Sequence, residues 1–172
     1  MSGNVARNGG GIARCDGIIR WNTVVENAAS GDTPDGRGGG LYSCGGTIEN
    51  NLVSLNSADW VGGGFDGCGG AIQGNVISDN WAELGGGGAC ACSGTIQNNT
   101  ISANECGSIS TGGGLLSCNG LIQDNTVTGN SAARGGGLQA CGGTVEKNVV
   151  AANRAAGAMG QGGGLAYCNG TI

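Results

Sequence analysis

The sequence predicts an all-β fold, a right-handed parallel β-helix (solenoid) of about six and a half coils. Three short strands are expected per coil, with ladders of cysteine and asparagine inside. Three observations lead there. Glycine triplets recur, beginning at Gly9, Gly38, Gly62, Gly86, Gly112, Gly135 and Gly162. Fixed residues follow each triplet at fixed distances, defining a frame of 19 residues. All variation in length falls after that frame, in linkers of 4 to 10 residues. A constant period with insertions at one corner is how a solenoid is written in sequence.

The frame is shown most compactly by Gly112–Arg134, GGGLLSCNGLIQDNTVTGNSAAR. Six residues after each triplet start stands a cysteine: Cys15, Cys44, Cys68, Cys92, Cys118, Cys141 and Cys168. Two residues later there is always a glycine. The first asparagine row is Asn22, Asn51, Asn75, Asn99, Asn125 and Asn148; the second is Asn27, Asn56, Asn80, Asn104, Asn130 and Asn153. Three places before each of these stands an apolar residue, large in all cases but Ala89 before Cys92, such as Leu115 before Cys118, Ile122 before Asn125 and Val127 before Asn130. Segments of that length, separated by glycine or asparagine, defeat a helical period and suit three short strands joined by turns. Stacked coils then form parallel sheets with strands about 4.8 Å apart, and parallel crossovers are right-handed.

Composition supports this and narrows the function. Glycine, 41 of 172 residues, would by itself suggest low complexity, but its fixed positions overrule that. A net charge of −5 with a single lysine argues against a nucleic-acid or anionic-membrane partner. No apolar run approaches the ~20 residues of a membrane span. No change in composition marks a second domain, so residues 1–172 read as one β-helix domain. The frame starts in mid-coil at Met1 and stops in mid-coil at Ile172, without polar caps. The expectation is a piece cut from a longer solenoid, or ends covered by another subunit through end-to-end self-association.

In chain order, the first linker, AASGDTPDGR, is a turn-rich surface loop holding Pro34. The next two linkers place Trp60 and Trp81 on what reads as one corner, a candidate sugar-stacking pair, with packing of the linkers as the alternative role. The fourth coil has extra cysteines. Cys90, two before Cys92, is expected to point outward, and Cys106 lies in the linker. A bond between them, or between two chains, is weighed against two free thiols.

Candidate chemistry is sparse. The cysteine ladder places one thiol per coil along a line, unlike the converging pairs of a zinc site. Nine cysteines is an odd number, and parallel Cβ vectors strain a disulfide between rungs. Buried cysteine is expected to act as a small hydrophobe, and no metal or cofactor is expected. The asparagines are expected to satisfy turn backbone inside the stack. The triplets lack the lysine and the following helix of a phosphate loop and the acid of a calcium nonapeptide repeat, and fit close approach of neighbouring coils. The glycine after each cysteine fits a turn at positive φ.

With no histidine, Ser-His and Cys-His catalysis is excluded. The outward row of the second strand reads Arg20, Glu49, Gln73, Gln97, Gln123 and Glu146. Its two acids sit about four coils apart, too far for paired-carboxylate work. Asp66, Asp79 and Glu83 are expected on different sides, as solvated charges. No catalytic residue is assigned.

The repeat resembles that of right-handed parallel β-helix proteins, the I-x-x-N-x-V-x-x-N pattern of the pectate-lyase-like superfamily. Its glycine-rich start and paired asparagines, as at Gly62–Phe65, Ile77 and Asn80, are similar to repeats of polymorphic outer-membrane and autotransporter passenger proteins. The resemblance spans essentially the whole chain. It implies the fold and an extracellular or cell-surface setting, whereas free thiols would suit a reducing compartment. It leaves activity open, because the fold hosts enzymes, adhesins and stalks. The leading expectation is a non-catalytic structural or adhesive module of a larger secreted or surface bacterial protein, contacting glycans or surface proteins. The alternatives are a fragment of a polysaccharide lyase or glycoside hydrolase, and a filament built through the ends.

Overall fold

The structure, a computed structural model, describes residues 1–158 and 160–172. Every regular element among them is a strand of two to five residues. The strands stack in parallel into four sheets, each taking one strand from every successive turn. The result is a parallel β-solenoid of about seven turns.

Four strands per turn, rather than three, is the first correction. The first sheet holds Ile12–Ala13, Leu41–Tyr42, Phe65–Asp66, Ala89–Cys90, Leu115–Leu116, Leu138–Gln139 and Leu165–Ala166. The second runs from Ile18–Arg20 to Gly142–Glu146, and the third from Thr23–Val25 to Val149–Ala151. These are the three apolar segments of the repeat. The fourth sheet, from Val5–Ala6 through Trp81–Ala82 to Arg154–Ala155, uses the first two residues of each linker. Its signal was present in the alanine two places after the second asparagine: Ala29, Ala58, Ala82, Ala132 and Ala155. The regular frame is therefore two residues longer than the apolar pattern shows.

Side chains of the first three sheets meet in one core. Leu41, Phe65 and Leu115 come from the first sheet, Ile48, Ile72 and Ile96 from the second, and Val53, Ile77 and Ile101 from the third. All are essentially inaccessible to solvent, and each contributes roughly 1.5–3 kcal/mol of burial. The alanines Ala29, Ala58 and Ala82 form a separate cluster beneath the linkers.

Each turn changes direction at single residues. In the second turn Ser43, Asn50 and Leu55 have φ of 54°, 53° and 56°, and each immediately precedes an inward Cys44, Asn51 or Asn56. A left-handed residue at the corner flips the next side chain inward. That is why the ladders stand one place after the corners.

The triplets allow contact in two directions. A Cβ on Gly113 would lie 2.6 Å from the carbonyl oxygen of Gly136 in the next turn and 2.6 Å from that of Ser131 in its own turn. The glycine thus packs the start of a turn against its end as well as against its neighbour. The glycines after the cysteines need correction. Gly70, Gly94, Gly120 and Gly143 have positive φ, but Gly17, Gly46 and Gly170 do not. Contact between turns is the wider demand: a Cβ on Gly70 would stand 2.6 Å from the oxygens of both Gly45 and Gly46.

Candidate functional site

The asparagine rows are structural. Asn51 donates its backbone N–H and its Nδ2 to Asn75 Oδ1, at 2.9 and 3.0 Å, and Nδ2 also donates to Ile19 O at 2.9 Å. The second row repeats this at Asn56, with Asn80 Oδ1 at 3.0 Å and Val24 O at 2.9 Å. Asn4 adds a rung by donating to Asn27 Oδ1 at 2.8 Å. Every buried amide of these two rows is thus used by the turns on either side, leaving none of them free for a ligand.

All nine cysteines are free. Cys44, Cys68, Cys92, Cys118 and Cys141 are buried in the main core, Cys168 is half-buried and Cys15 is exposed. Each ladder thiol donates weakly to the carbonyl two residues before it, as Cys92 Sγ does to Cys90 O at 3.4 Å. Hydrogen bonding to neighbouring sulfurs pushes Cys44, Cys92 and Cys168 up. It draws Cys68 and Cys118 down, the receiving rungs of the row, with burial opposing that shift. Among the described residues no group of three or more acids, cysteines or histidines converges to hold a metal.

Cys90 does not point to solvent. It is 6% exposed and lies between Asp66 and Leu116 in the outward row of the first sheet, with the linker residue Arg37 against Asp66 and Gly85 close to Leu116. Cys106 replaces an alanine in the buried row of the fourth sheet, paired with Ala82, and is 5% exposed. The two thiols belong to different sheets and are not bonded. Burial pushes both up to about 12, helped at Cys90 by the Asp66 charge. Neither is poised as a nucleophile.

The strongest charge arrangement was missed by the reading of Asp66 as a solvated acid. Its side chain is 0% exposed, with Arg37 Nε 2.9 Å from Oδ2. That contact is poorly aligned for a hydrogen bond, leaving both atoms without a directed partner; Arg37 Nη2 donates to Oδ1 at 3.5 Å. Arg37 Cζ lies 5.1 Å from the Trp60 ring centroid and 6.0 Å from that of Tyr42. Burial raises the Asp66 carboxyl above its ordinary value, against the pull of Arg37. The sequence signal was the position itself, directly after the core residue Phe65 and facing the linker side.

Trp60 and Trp81 do not share a position on the turn. Trp81 opens a strand of the fourth sheet, paired with Ser57 and Glu105, and is 37% exposed. Trp60 lies three residues beyond Ser57, held by its N–H to Gly36 O at 2.9 Å and stacked on Arg37. Packing of the linker is its visible role.

The outward row of the second sheet is an amide ladder. Gln73 Nε2 donates to Glu49 Oε2 at 3.1 Å, Gln97 to Gln73 at 3.0 Å and Gln123 to Gln97 at 3.2 Å. Arg20 flanks Glu49 at 4.0 Å. Three glutamine rungs separate Glu49 from Glu146. Asp79 is an exposed corner residue, and Glu83 follows the fourth-sheet strand Trp81–Ala82. No two of these carboxylates stand together as an acid–base pair requires.

No family model, curated protein or solved structure matches this chain. The resemblance to pectate-lyase-like and autotransporter repeats therefore rests on the repeat residues alone.

Proposed function

We propose that the chain is a non-catalytic structural or adhesive module, a rigid solenoid whose sides contact glycans at or outside the cell surface. One observation carries this reading. The outward row of the second sheet is a polar ladder from Glu49 to Gln123 satisfied from turn to turn, while the only fully buried acid among the described residues is neutralised by Arg37. Such sides offer hydrogen-bonding groups at about 4.8 Å intervals to an extended polymer but no acid–base pair to cleave it.

The test joins binding with turnover. Residues 1–172 are applied to a panel of immobilised neutral and acidic polysaccharides, and the same polymers are assayed for new reducing ends and unsaturated products. Retention on at least one polymer without product supports the module. Any sustained product release makes the chain an enzyme, and failure to bind every polymer removes the glycan contact.

A further inference from the structure

Two rows of small side chains run along the inside of this solenoid, and they are filled differently. The row of the fourth sheet mixes Ala29, Ala58, Ala82, Cys106 and Ala132. The row between the first and second sheets holds cysteine in all seven turns, from Cys15 to Cys168. Filling space asks only for a small residue. An unbroken run of sulfur points to chemistry that sulfur alone supplies.

The sulfurs are stacked in register. Phe65, Ala89, Leu115 and Leu138, each three places before a cysteine, pair in succession. Ser93, Asn119 and Gly142, each one place after, do the same. The carbonyls of Cys68 and Cys92 accept from the N–H of Ser93 and of Asn119 in the following turn, both at 3.0 Å. Every thiol of the row then takes one orientation, donating to the carbonyl two residues before it, at 3.7 Å in Cys68, 3.4 Å in Cys92 and 3.5 Å in Cys118. Equal register and equal orientation give the sulfurs the spacing of the turns, about 4.8 Å. A disulfide needs about 2 Å, and all these cysteines are free.

A different bond fits the gap. A metal–thiolate bond is about 2.3 Å long, so a cation in line between two sulfurs spans about 4.6 Å. Each gap offers two sulfurs, and no third cysteine, acid or histidine joins them among the described residues. Zinc requires four ligands in a tetrahedron and is not served. A soft monovalent cation such as copper(I) or silver(I), held by two thiolates in a straight line, is. We propose that the cysteine row is a linear site for soft monovalent cations of this class, each bridging the sulfurs of two successive turns.

On binding, each S–H gives its proton to solvent and the thiolate bonds to the metal, with no change of oxidation state. Cations alternating with thiolates leave one net negative charge however long the run, which keeps the cost of burying it low. The row already alternates. Cys68 and Cys118 receive hydrogen bonds from the sulfurs on both sides and are drawn down, while Cys92 between them is pushed up. Cys15 is exposed and Cys168 half-buried, so cations enter at the ends of the row.

The experiment titrates reduced residues 1–172 with silver(I) nitrate in chloride-free buffer and counts bound ions by native mass spectrometry. Seven rungs make six gaps, so uptake should reach six silver ions per folded chain. X-ray absorption should show two sulfurs around each silver, and added zinc should not displace it. Cys92→Ala removes a sulfur shared by two gaps and should leave four ions bound, whereas Cys90→Ala, outside the row, should change nothing. Uptake of one or two ions that ignores Cys92→Ala reports the end thiols alone and overturns the proposal. One silver per thiol, Cys90 and Cys106 included, shows independent sites and overturns it too. So do three or more sulfurs per silver, displacement by zinc, or uptake only as the β-sheet circular dichroism is lost. If Cys92→Ala does not fold, the count and the sulfur number of the unsubstituted chain decide the matter. No polysaccharide takes part, so either result leaves the glycan reading standing on its own test.

Discussion

The Arg37–Asp66 pair shows what one buried charge does to this fold. Arg37 reaches solvent, its side chain being 31% exposed, while Asp66 does not. Removing either partner is therefore unequal. Asp66→Asn leaves a cation that water can reach. Arg37→Gln leaves a buried carboxylate without its counter-charge and should destabilise by about 3 kcal/mol or more. The sign of the pH effect follows from the raised Asp66 carboxyl. A group whose native pKa lies above its unfolded value favours the fold most when protonated and loses that advantage as pH rises through the native pKa. Urea titrations of Arg37→Gln should thus show stability recovering on acidification toward the unfolded carboxylate range, with a smaller deficit against wild type at low pH. A deficit independent of pH would mean that Arg37 acts through packing against Trp60 rather than through charge.

Among elements, the asparagine ladder is the most interdependent. Asn99 accepts from both the backbone N–H and Nδ2 of Asn75, and its own Nδ2 donates to Ile72 O. Asn99→Ala takes the partner from two buried groups, the Asn75 backbone N–H and Ile72 O, while Asn75 Nδ2 keeps Ile48 O at 2.8 Å; at about 1–3 kcal/mol each, a loss of about 2 kcal/mol or more is expected by chemical denaturation. Asn148, half-buried at the edge of the same row, should lose less on the same change. Similar losses at the two positions would show that the amides are not stabilised by their neighbours. The fourth sheet carries a different lesson. Its buried alanine row holds Cys106 opposite Ala82, because a thiol is a small hydrophobe, while pairing to the following turn is confined to Glu105 and Ser131; this accounts for one of the two extra cysteines.

At the scale of the whole molecule, each turn touches only its neighbours, and stability is close to a sum of turn-to-turn interfaces. Central turns have neighbours on both sides. Their core residues, such as Ile77, Ile101 and Val127, are essentially inaccessible, whereas Val150 at the edge is only partly buried. Amide exchange followed by mass spectrometry should show the strongest protection between residues 62 and 130, falling toward both ends. Uniform protection along the chain would indicate an all-or-none unit instead of a stack of coupled turns.

The sequence by itself determined the solenoid, its period, the inward rows of Cys118, Asn125 and Asn130 and their counterparts, and the absence of histidine chemistry. Those features repeat, and repetition makes a spatial rule legible one-dimensionally: a residue present at the same place in every turn must meet the same neighbours. The fourth strand was less legible, because its only regular mark is an alanine inside a segment of variable length. What the tertiary structure alone decided are the features that occur once. Arg37 and Asp66 are 29 residues apart and meet because the turns stack; Arg7, Arg14 and Tyr42 gather around one cavity for the same reason. Cys90 is buried in an outward row that apolar spacing assigns to solvent, between Asp66 and Leu116, which the linker residues Arg37 and Gly85 approach. The repeat sets which face a side chain takes, while the irregular linkers, packed across that face, decide whether water reaches it.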